Sequence, residues 1–413
     1  CEDFGRANPT RNLHERLGNG DRQRRRVTSH GDAQANGLFI GLLSGTSIDA
    51  IDAALFRIEG RSIRMLSALA VPIAAPIKSE LLYLTECDMV SPERIGVVDR
   101  QFGACLADAA MRLLTSAGEP PEAVRAIGSH GQTIRHRPAR DGTLTPGFTW
   151  QIGDPNTIAE TTGICTVADF RRRDVAACGQ GAPLVPAFHL WAFGSDTRER
   201  VIVNIGGMAN ISVLRPSATG SVQGFDTGPG NALLDGWNRR HGRGDYDRDG
   251  DWARSGSVDS RLIARLLRHP YLGLAAPKST GREEFNLAWL DGLLNGLAVA
   301  ARDVQATLLA FTATTIANAI LDTLPESGEV FVCGGGIHNA YLMEQLKKRL
   351  EPRQVESTAA LGIEPDWVEA GLFAWLARQT LSGLPGNLPS VTGARHPVAL
   401  GAIHPGRNNP RSD

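Results

Sequence analysis

Four small or hydroxyl residues, 44–47 (SGTS), interrupt an apolar run, which then resumes around Asp49 and Asp52. This pattern predicts a strand, a tight turn and a second strand. The backbone N–H groups and hydroxyls of such a tip suit an anion with several oxygens, most often phosphate. Two carboxylates behind the tip would repel a bare phosphate, but they suit Mg²⁺, which uses one or two carboxylates and keeps several waters. An ordinary hairpin turn with solvated aspartates explains the segment equally well.

Two more glycine turns are candidates for nucleotide binding. Gly206 and Gly207 lie between apolar runs in NIGGMAN, and a plain Gly-Gly turn is the simpler explanation for them. Residues 334–336 (GGG) follow a strand-like run and precede a helical one, where backbone can accommodate a phosphate or a flat ring at a helix N-terminus. The sequence has neither a GxxxxGK[ST] loop nor a GxGxxG after a strand, which excludes those two nucleotide-binding motifs.

One carboxylate, in the segment GFDTGPGN, has the surroundings of a general base. Asp226 lies between Phe225 and a Gly-Pro-Gly turn. Partial burial there would raise its pKa toward useful base strength. The alternative is that Asp226 caps the helix that follows.

Polar side chains elsewhere could contact a polar ligand. Arg173 and Asp174 belong to the charged segment DFRRRD, which lies between apolar stretches and loop glycines and is therefore expected at a junction between lobes. Arginine binds carboxylates and phosphates through paired N–H groups, although a solvated charge run is the usual explanation. His130 and Gln132 lack the cysteine or acidic neighbours of a metal site, so hydrogen bonding to a ligand fits them better. Glu369, near the start of an apolar helical run, is explained by the helix dipole.

The elements that must position these residues alternate between strands and helices. The strand–turn–strand pattern at 38–58 recurs at 200–214, and strand, glycine turn and helix follow one another at 329–350. This alternation and duplication predict an α/β fold with two lobes rather than a solenoid of short repeats. We expect a first lobe at 37–168 and a second at 169–413, with a late helix at 366–382 packing back on the first lobe.

Length and composition set the remaining limits. A chain of 413 residues exceeds what one core usually holds. Its net charge of −1 favours neither nucleic acid nor an anionic membrane as a partner. The six cysteines form no CxxC pair, which fits a reducing cytoplasm better than a disulfide framework. Residues 1–36 are rich in arginine and lack apolar periodicity, so we interpret them as a disordered extension.

The order of these motifs resembles the sugar kinase, Hsp70 and actin superfamily, in which two ribonuclease H-like lobes hold ATP in a cleft. Within it, the sequence is similar to the anhydro-N-acetylmuramic acid kinase family from about Leu38 to Pro405. The segments that carry this similarity are GLLSGTSIDAIDAAL, AIGSHGQTIRHRP, WQIGDPNTIAETTGI, VADFRRRDVAACGQGAPLVPAFH, NIGGMANIS, GFDTGPGNALLD, PKSTGREEFN, VCGGGIHN and DWVEAGLFAWLA.

The resemblance implies a specific reaction. Such enzymes open the anhydro ring of 1,6-anhydro-N-acetylmuramic acid with water and phosphorylate O6 with ATP, giving N-acetylmuramic acid 6-phosphate. The base would be Asp226, and Arg173 and Glu369 match positions that contact the sugar. The segment that matches the family's ATP-binding stretch comprises Gly45, Thr46, Ser47, Ile48, Asp49, Ala50, Ile51 and Asp52, with Mg²⁺ expected beside Asp49. The cofactor set further includes Gly206, Gly207, Gly334, Gly335 and Gly336, and the substrate set further includes His130, Gln132 and Asp174.

Two residues depart from the family's pattern. Ala50 and Cys178 each replace a usual glycine. Alanine fits a strand, whereas Cys178 would disturb its loop if that position needs a positive φ. Two other functions fit the same fold: a kinase of an ordinary N-acetylhexosamine, and a nucleotide switch without a small acceptor. We expect ATP and an amino sugar as the small-molecule partners, and the prediction allows a homodimer.

Overall fold

The protein is described by a computed structural model that covers residues 36–45, 48–139, 146–216, 222–326 and 328–407. Two residues of the predicted phosphate tip, Thr46 and Ser47, lie outside the described residues, as does the predicted extension up to residue 35.

The first lobe is built on a six-stranded sheet with the order β13-β7-β4-β1-β2-β3. Three antiparallel strands follow one another, and β4 and β7 then add in parallel next to β1. The last strand, β13, joins this sheet antiparallel to β7, although the predicted division places its residues in the second lobe. The strands are β1 (Gly37–Ser44), β2 (Ala50–Glu59), β3 (Ser62–Pro72), β4 (Val124–Ser129), β7 (Thr166–Ala168) and β13 (Ala402–His404).

The second lobe repeats this arrangement in a five-stranded sheet with the order β10-β9-β8-β11-β12. Its first three strands are again antiparallel, and the next two add in parallel. The two sheets therefore share the same strand order and the same strand directions. This repetition confirms the predicted α/β fold with two duplicated lobes. The strands are β8 (Arg200–Ile205), β9 (Met208–Leu214), β10 (Gln223–Pro229), β11 (Glu329–Cys333) and β12 (Val355–Ser357).

A two-stranded ribbon stands beside the first sheet, in the segment GSHGQTIRHRP, whose many polar residues predict a loop after the strand that precedes it. Its strands, β5 (Gln132–Arg137) and β6 (Phe148–Ile152), pair antiparallel. The prediction of a loop was wrong because polar residues alternate there with buried ones, which is the pattern of a half-buried strand.

Helices cover the sheets, and their ends follow local capping rules. The helix Pro92–Ala117 begins after Ser91, whose hydroxyl accepts a hydrogen bond from the Arg94 N–H at 3.2 Å, and it ends at Gly118 with φ of 68°. The other α-helices of the described residues are Ala75–Glu86, Pro155–Thr162, Arg172–Ala176, Val185–Phe193, Ala232–Arg240, Asp251–Arg254, Ser260–Leu266, Leu287–Leu294, Ala301–Thr323, Ala340–Leu350, Val368–Leu381 and Pro389–Thr392.

One helix of the described part, Ala301–Thr323, is long and apolar enough to cross a membrane. Most of it is buried in the core of the second lobe, where it packs against β9 and β10. Its apolar composition is therefore explained by the core.

The late helix, Val368–Leu381, lies directly on β1, β2 and β4 of the first lobe. Two glycines permit this approach. A Cβ at Gly41 would stand 1.8 Å from the carbonyl oxygen of Ala370, and one at Gly128 would stand 2.0 Å from that of Phe373. Since neither backbone oxygen can rotate away, the helix needs glycine at both strand positions.

A shared core joins the lobes beneath the late helix. Phe39 of the first sheet, Phe331 of the second and Trp375 of the late helix belong to one buried cluster. The cluster fixes the start of the late helix, and therefore Glu369, between the two sheets.

Candidate active site

A cleft of about 680 Å³ lies between the lobes above this shared core. Both sheets, the late helix and the loop after β7 contribute to its walls. The polar and charged residues that line it are His136, Arg171, Gln180, Asn204, Asn210, Ser212, Asp226, Lys278, Ser279, Glu369, Ser390 and Thr392.

Asp226 lies on β10 and faces this cleft. The backbone N–H of Thr280 donates to its Oδ2 at 3.0 Å, and Tyr271 Oη donates to its carbonyl oxygen at 2.7 Å. Among the described residues no donor is recorded for Oδ1. Burial raises the pKa of Asp226, and the hydrogen bond from Thr280 opposes that rise. Asp226 is thus a cleft-lining carboxylate with one oxygen held by Thr280 and no recorded donor to the other within the described ranges, an arrangement that suits a general base.

The alternative role for Asp226, a helix cap, is wrong. Asp226 pairs with Asn210 inside the sheet, and the next helix starts only at Ala232, with Asn231 at the N-cap position.

Glu369 stands in the first turn of the late helix and also lines the cleft. The surrounding protein raises its pKa, while the charge of Arg171 and a hydrogen bond from the Asn204 side chain lower it. The open cleft nevertheless leaves the side chain accessible to solvent. Its position next to the helix N-terminus agrees with the helix-dipole explanation.

Of the three consecutive arginines, Arg171 reaches the cleft. Its Nε donates to His130 Nε2 at 3.0 Å and its Nη1 donates to the Gly181 carbonyl at 2.8 Å. Burial lowers its pKa to about 10, which leaves it charged at neutral pH. Arg173, the residue predicted from the resemblance, is exposed on the short helix Arg172–Ala176 and is not among the residues that line the cleft.

The predicted substrate residues His130 and Gln132 are buried behind the cleft wall. Burial and the charge of Arg171 hold the pKa of His130 well below its usual range, so the ring is neutral and accepts the hydrogen bond from Arg171. Gln132 Nε2 donates to the Thr133 carbonyl at 3.3 Å, and its Oε1 is buried without a recorded partner in the described part of the chain. His130 thus positions Arg171 rather than reaching a ligand itself.

Asp174 is fully buried and holds the loop beneath the cleft instead of facing it. Its Oδ1 accepts from Asn387 Nδ2 at 2.6 Å and from Thr392 Oγ1 at 2.8 Å, and its Oδ2 accepts from the Gly181 N–H at 2.7 Å. The structure therefore does not bring Asp174 to a substrate, because both carboxylate oxygens already serve internal bonds.

The first hairpin joins β1 to β2, as the sequence predicted. Gly45 accepts a hydrogen bond from the Ile48 N–H at 3.2 Å, and Ile48 has a φ of 55° although its side chain is buried. A positive φ is strained for a β-branched residue, so the surroundings of Ile48 must hold its backbone in this conformation. Ala50 and Ile51 start β2 with extended backbone, which alanine tolerates as well as glycine does.

The two aspartates of this hairpin have different surroundings. Asp49 is mostly exposed and forms an ion pair with Lys78. Asp52 lies inward, and burial, followed by the charges of Glu369 and Asp366, raises its pKa to about 6. A cation bound at Asp52 would offset the repulsion from Glu369 and Asp366, whereas Lys78 already neutralises the charge of Asp49. No group of three metal-ligating side chains occurs among the described residues.

The second hairpin, between β8 and β9, is anchored to the helix that follows β10. The Gly206 carbonyl accepts from the Asn231 N–H at 2.8 Å, and the Gly207 carbonyl accepts from the Gly230 and Ala232 N–H groups at 2.9 and 3.0 Å. The Arg282 guanidinium lies beside Gly207, so a cation stands at this glycine tip.

The glycine turn after β11 packs against the end of β8. A Cβ on Gly334, whose φ is 80°, would stand 2.3 Å from Asn204 Oδ1, and one on Gly336 would stand 2.3 Å from Ile205 Cγ2. A Cβ on Gly335 would meet nothing within 4 Å. The helix itself begins only at Ala340, after a short 3₁₀ turn, so Gly335 offers flat, open backbone for a ring rather than a helix N-terminus for a phosphate.

Comparison with known proteins identifies the family. A family model described as anhydro-N-acetylmuramic acid kinase matches residues 37–406. The chain is 50% identical over 372 residues to the anhydro-N-acetylmuramic acid kinase of Xanthomonas campestris pv. campestris strain 8004, covering 89% of this chain and 97% of the relative. The chain belongs to the anhydro-N-acetylmuramic acid kinase family. A family member from Shewanella halifaxensis is 47% identical over 371 residues, which cover 90% of this chain and 99% of the relative.

Two solved structures are distant likenesses of this family member. The activator of 2-hydroxyisocaproyl-CoA dehydratase from Clostridium difficile, with bound ADPNP, has a TM-score of 0.41 at 10% identity and covers 83% of this chain and 95% of its own. A ROK hexokinase from Thermus thermophilus has a TM-score of 0.33 at 18% identity and covers 82% and 99%. The fold assignment therefore rests on the repeated strand order and on family membership.

Cys178, which replaces a usual glycine of the anhydro-N-acetylmuramic acid kinase family, has a φ of 68°. The departure therefore falls where a glycine is preferred, because left-handed backbone costs other residues roughly 1–2 kcal/mol. The thiol is free and exposed, so little packing opposes this cost.

We expect Cys178→Gly to raise the free energy of unfolding by about 1 kcal/mol, since it relieves the strained backbone. Urea unfolding monitored by tryptophan fluorescence would measure the change. Cys178→Ala is the matched control: it removes the thiol but keeps a Cβ, and its stability should stay near that of wild type. A glycine variant no more stable than the alanine variant would contradict the account.

Proposed function

We propose that this chain is an ATP-dependent kinase that opens the 1,6-anhydro ring of 1,6-anhydro-N-acetylmuramic acid and phosphorylates O6. The products are N-acetylmuramic acid 6-phosphate and ADP. The observation that carries the proposal is Asp226, a held carboxylate of raised pKa that faces the cleft of a member of this family.

The reaction joins a hydrolysis to a phosphoryl transfer. Water attacks the anomeric carbon while the free Oδ1 of Asp226 takes its proton. The C1–O6 bond breaks, and its electron pair stays on O6. O6 then attacks the γ-phosphorus of ATP, and ADP leaves. Phosphoryl transfer depends mainly on positioning and charge neutralisation, so the protein's part is to align O6 with the phosphate.

Glu369 and Arg171 are proposed to hold the sugar on the other side of the cleft. Glu369 can accept hydrogen bonds from sugar hydroxyls, and its own orientation is set by Asn204. Arg171, held in place by His130 and the Gly181 carbonyl, supplies a fixed positive charge. The two carboxylates thus take different tasks, with Asp226 as base and Glu369 as a binding group.

ATP is proposed to lie along the two hairpins, with its ring on the glycine turn at Gly335. Mg²⁺ is expected to bind at Asp52 rather than at Asp49, because Asp52 is crowded by like charges and Asp49 is paired with Lys78. When bound, the ion would neutralise charge on the β- and γ-phosphates. We further propose a cytoplasmic location, where ATP is available and the five free cysteines of the described chain stay reduced.

Hydrolysis in ¹⁸O-labelled water tests the proposed reaction. We expect label on the anomeric oxygen of the product and none in the phosphate. Product without label at C1 would instead fit a kinase of an ordinary N-acetylhexosamine. ADP release should be compared for 1,6-anhydro-N-acetylmuramic acid, N-acetylmuramic acid and N-acetylglucosamine. No sugar-dependent release with any of them would favour a nucleotide switch.

We expect Glu369→Gln to lower kcat/KM for the sugar by roughly 10- to 100-fold, since hydrogen bonds to a charged group contribute about 1.5–3 kcal/mol. The change should appear mainly in KM for the sugar, with KM for ATP nearly unchanged. Steady-state ADP release measures both constants. Glu364→Gln is a suitable control, because Glu364 is an exposed glutamate just before the same helix. Equal effects on both substrates would contradict the proposed role.

A further inference from the structure

A serine of the cleft wall, on the side of Asp226, contacts a buried histidine that lies behind it. His189, on the helix Val185–Phe193, is completely buried, and its Nδ1 lies 2.9 Å from the Oγ of Ser212 on β9. Ser212 lines the cleft. Neither residue has a place in the reaction as proposed above, yet a polar pair buried to this degree needs a reason.

The pair has one consistent arrangement of protons. Burial lowers the pKa of His189 to about 3, so its ring is neutral. Its Nε2 is buried with no recorded partner in the described part of the chain. A buried N–H without an acceptor is rarer than an unsatisfied lone pair, so the proton belongs on Nδ1, which donates to Ser212 Oγ. The serine hydroxyl proton is then left to donate elsewhere.

The cleft is the available direction for that hydroxyl proton. No acceptor for it is recorded among the described residues, and the residue forms part of the cleft wall. Two apolar side chains lie near it, because Pro186 and Val391 stand within 3.5 Å of the Cβ position of Gly224, the partner of Ser212 in the sheet. Gly224, opposite Ser212 in the sheet, keeps this corner open, since a Cβ there would stand 3.0 Å from Pro186 Cγ.

A neutral donor beside aliphatic side chains suits a neutral amide that ends in a methyl group. A carboxylate, such as that of the lactyl ether of the sugar, would need a positively charged partner to offset the cost of its desolvation. An acetamido group offers one carbonyl acceptor and one methyl, which match the serine hydroxyl and the aliphatic wall.

The position along the sheet agrees with this assignment. Asp226 pairs with Asn210, and Ser212 lies two residues further along the same strand, which is roughly 7 Å. In the sugar, the acetamido group is on C2, the carbon bonded to the C1 that water attacks. A base that reaches C1 through one water therefore places the acetamido group near Ser212.

Resting on the proposed function, we infer that Ser212 donates a hydrogen bond to the acetamido carbonyl of the sugar and that His189 is the positioning residue for its hydroxyl. This corner, lined by Ser212, Val185, Pro186, Gly224 and Val391, is thus a specificity subsite for the N-acetyl group.

The test compares two sugars on three variants. With 1,6-anhydro-N-acetylmuramic acid, Ser212→Ala should lower kcat/KM by roughly three- to tenfold, mostly through KM, the size expected for a neutral hydrogen bond. With an analogue whose acetamido group is replaced by hydroxyl, that penalty should shrink to near onefold. His189→Asn, which keeps an N–H near the position of Nδ1, should retain more of the preference for the acetamido sugar than His189→Phe.

The outcomes separate this inference from the proposed function. If wild-type protein releases no ADP with the anhydro sugar, the proposed function fails. If wild type is active but Ser212→Ala changes kcat/KM for both sugars by the same factor, or for neither, the inference alone is overturned. Binding of a non-hydrolysable ATP analogue, measured by calorimetry, checks that each variant is folded, and Ser255→Ala is the control for an exposed serine.

Discussion

Asp226→Asn is expected to lower turnover of 1,6-anhydro-N-acetylmuramic acid by about 10²–10⁴-fold, the usual contribution of a general base, while ATP still binds. Asparagine keeps the shape of the side chain and can accept the hydrogen bond from the Thr280 N–H at the position of Oδ2. It cannot take a proton from water. Turnover is measured by coupled ADP release, and nucleotide binding by calorimetry with a non-hydrolysable analogue.

The pH dependence gives the same prediction an independent check. Burial raises the pKa of Asp226, and a base works only when ionised. The kcat/KM of wild type should therefore fall as pH is lowered, beginning above the pH at which an ordinary aspartate is protonated, near 3.9. Asp99→Asn is a matched control, because burial also raises the pKa of this half-buried aspartate but it does not line the cleft. Asp226→Asn activity above about a hundredth of wild type would remove Asp226 as the base.

Local patterns in the sequence predicted the parts of this fold that depend on neighbours in the chain. The two hairpins follow from apolar runs around short glycine tips, and the helix Pro92–Ala117 ends at Gly118, the residue type most common at a left-handed helix end. The exception is β5, where the polar side chains of an alternating strand looked like a loop. In that case the missing fact was the partner strand, β6, which begins eleven residues after β5 ends.

The active site could be predicted only in part, because its contacts join distant segments. Asp226 could be singled out from its own turn, but the pKa of Glu369 depends on Asn204 and Arg171, which are far away in sequence. Local sequence patterns also could not show which of Arg171 and Arg173 reaches the cleft, because that depends on contacts with distant residues. Arg171 and Arg173 are only two residues apart, yet the Arg171 side chain is held by His130 whereas the Arg173 side chain is exposed to solvent.

The carboxylates of the first hairpin illustrate the same limit. Asp49 and Asp52 are three residues apart; their spacing made both candidate magnesium ligands, and the resemblance favoured Asp49. Lys78, from a later helix, neutralises the first, and Asp366 and Glu369, from the far end of the chain, crowd the second. Charge balance at a site is a property of the folded chain, so spacing alone could not rank the two aspartates.

Gly41→Ala is expected to reduce the free energy of unfolding by about 3 kcal/mol, the upper end for overpacking a core. The new Cβ would lie 1.8 Å from the carbonyl oxygen and 2.6 Å from the carbonyl carbon of Ala370. Both are backbone atoms, so relief requires the late helix to move away from β1. Urea unfolding of the two proteins would measure the loss.

The same substitution links the core to the active site. Ala370 follows Glu369 directly, so a helix displaced at Ala370 shifts the carboxylate that Asn204 orients. A misplacement near 1 Å can cost roughly 100-fold in rate, and we therefore expect Gly41→Ala to lose activity even where it remains folded. Gly96→Ala is the matched control: it lies on the exposed face of the helix Pro92–Ala117, and its Cβ would meet nothing within 4 Å. Because alanine favours a helix over glycine by roughly 0.5–1 kcal/mol, this control should be more stable than wild type and fully active. A Gly41→Ala protein with wild-type stability would show that the late helix is not fixed by its contact with β1.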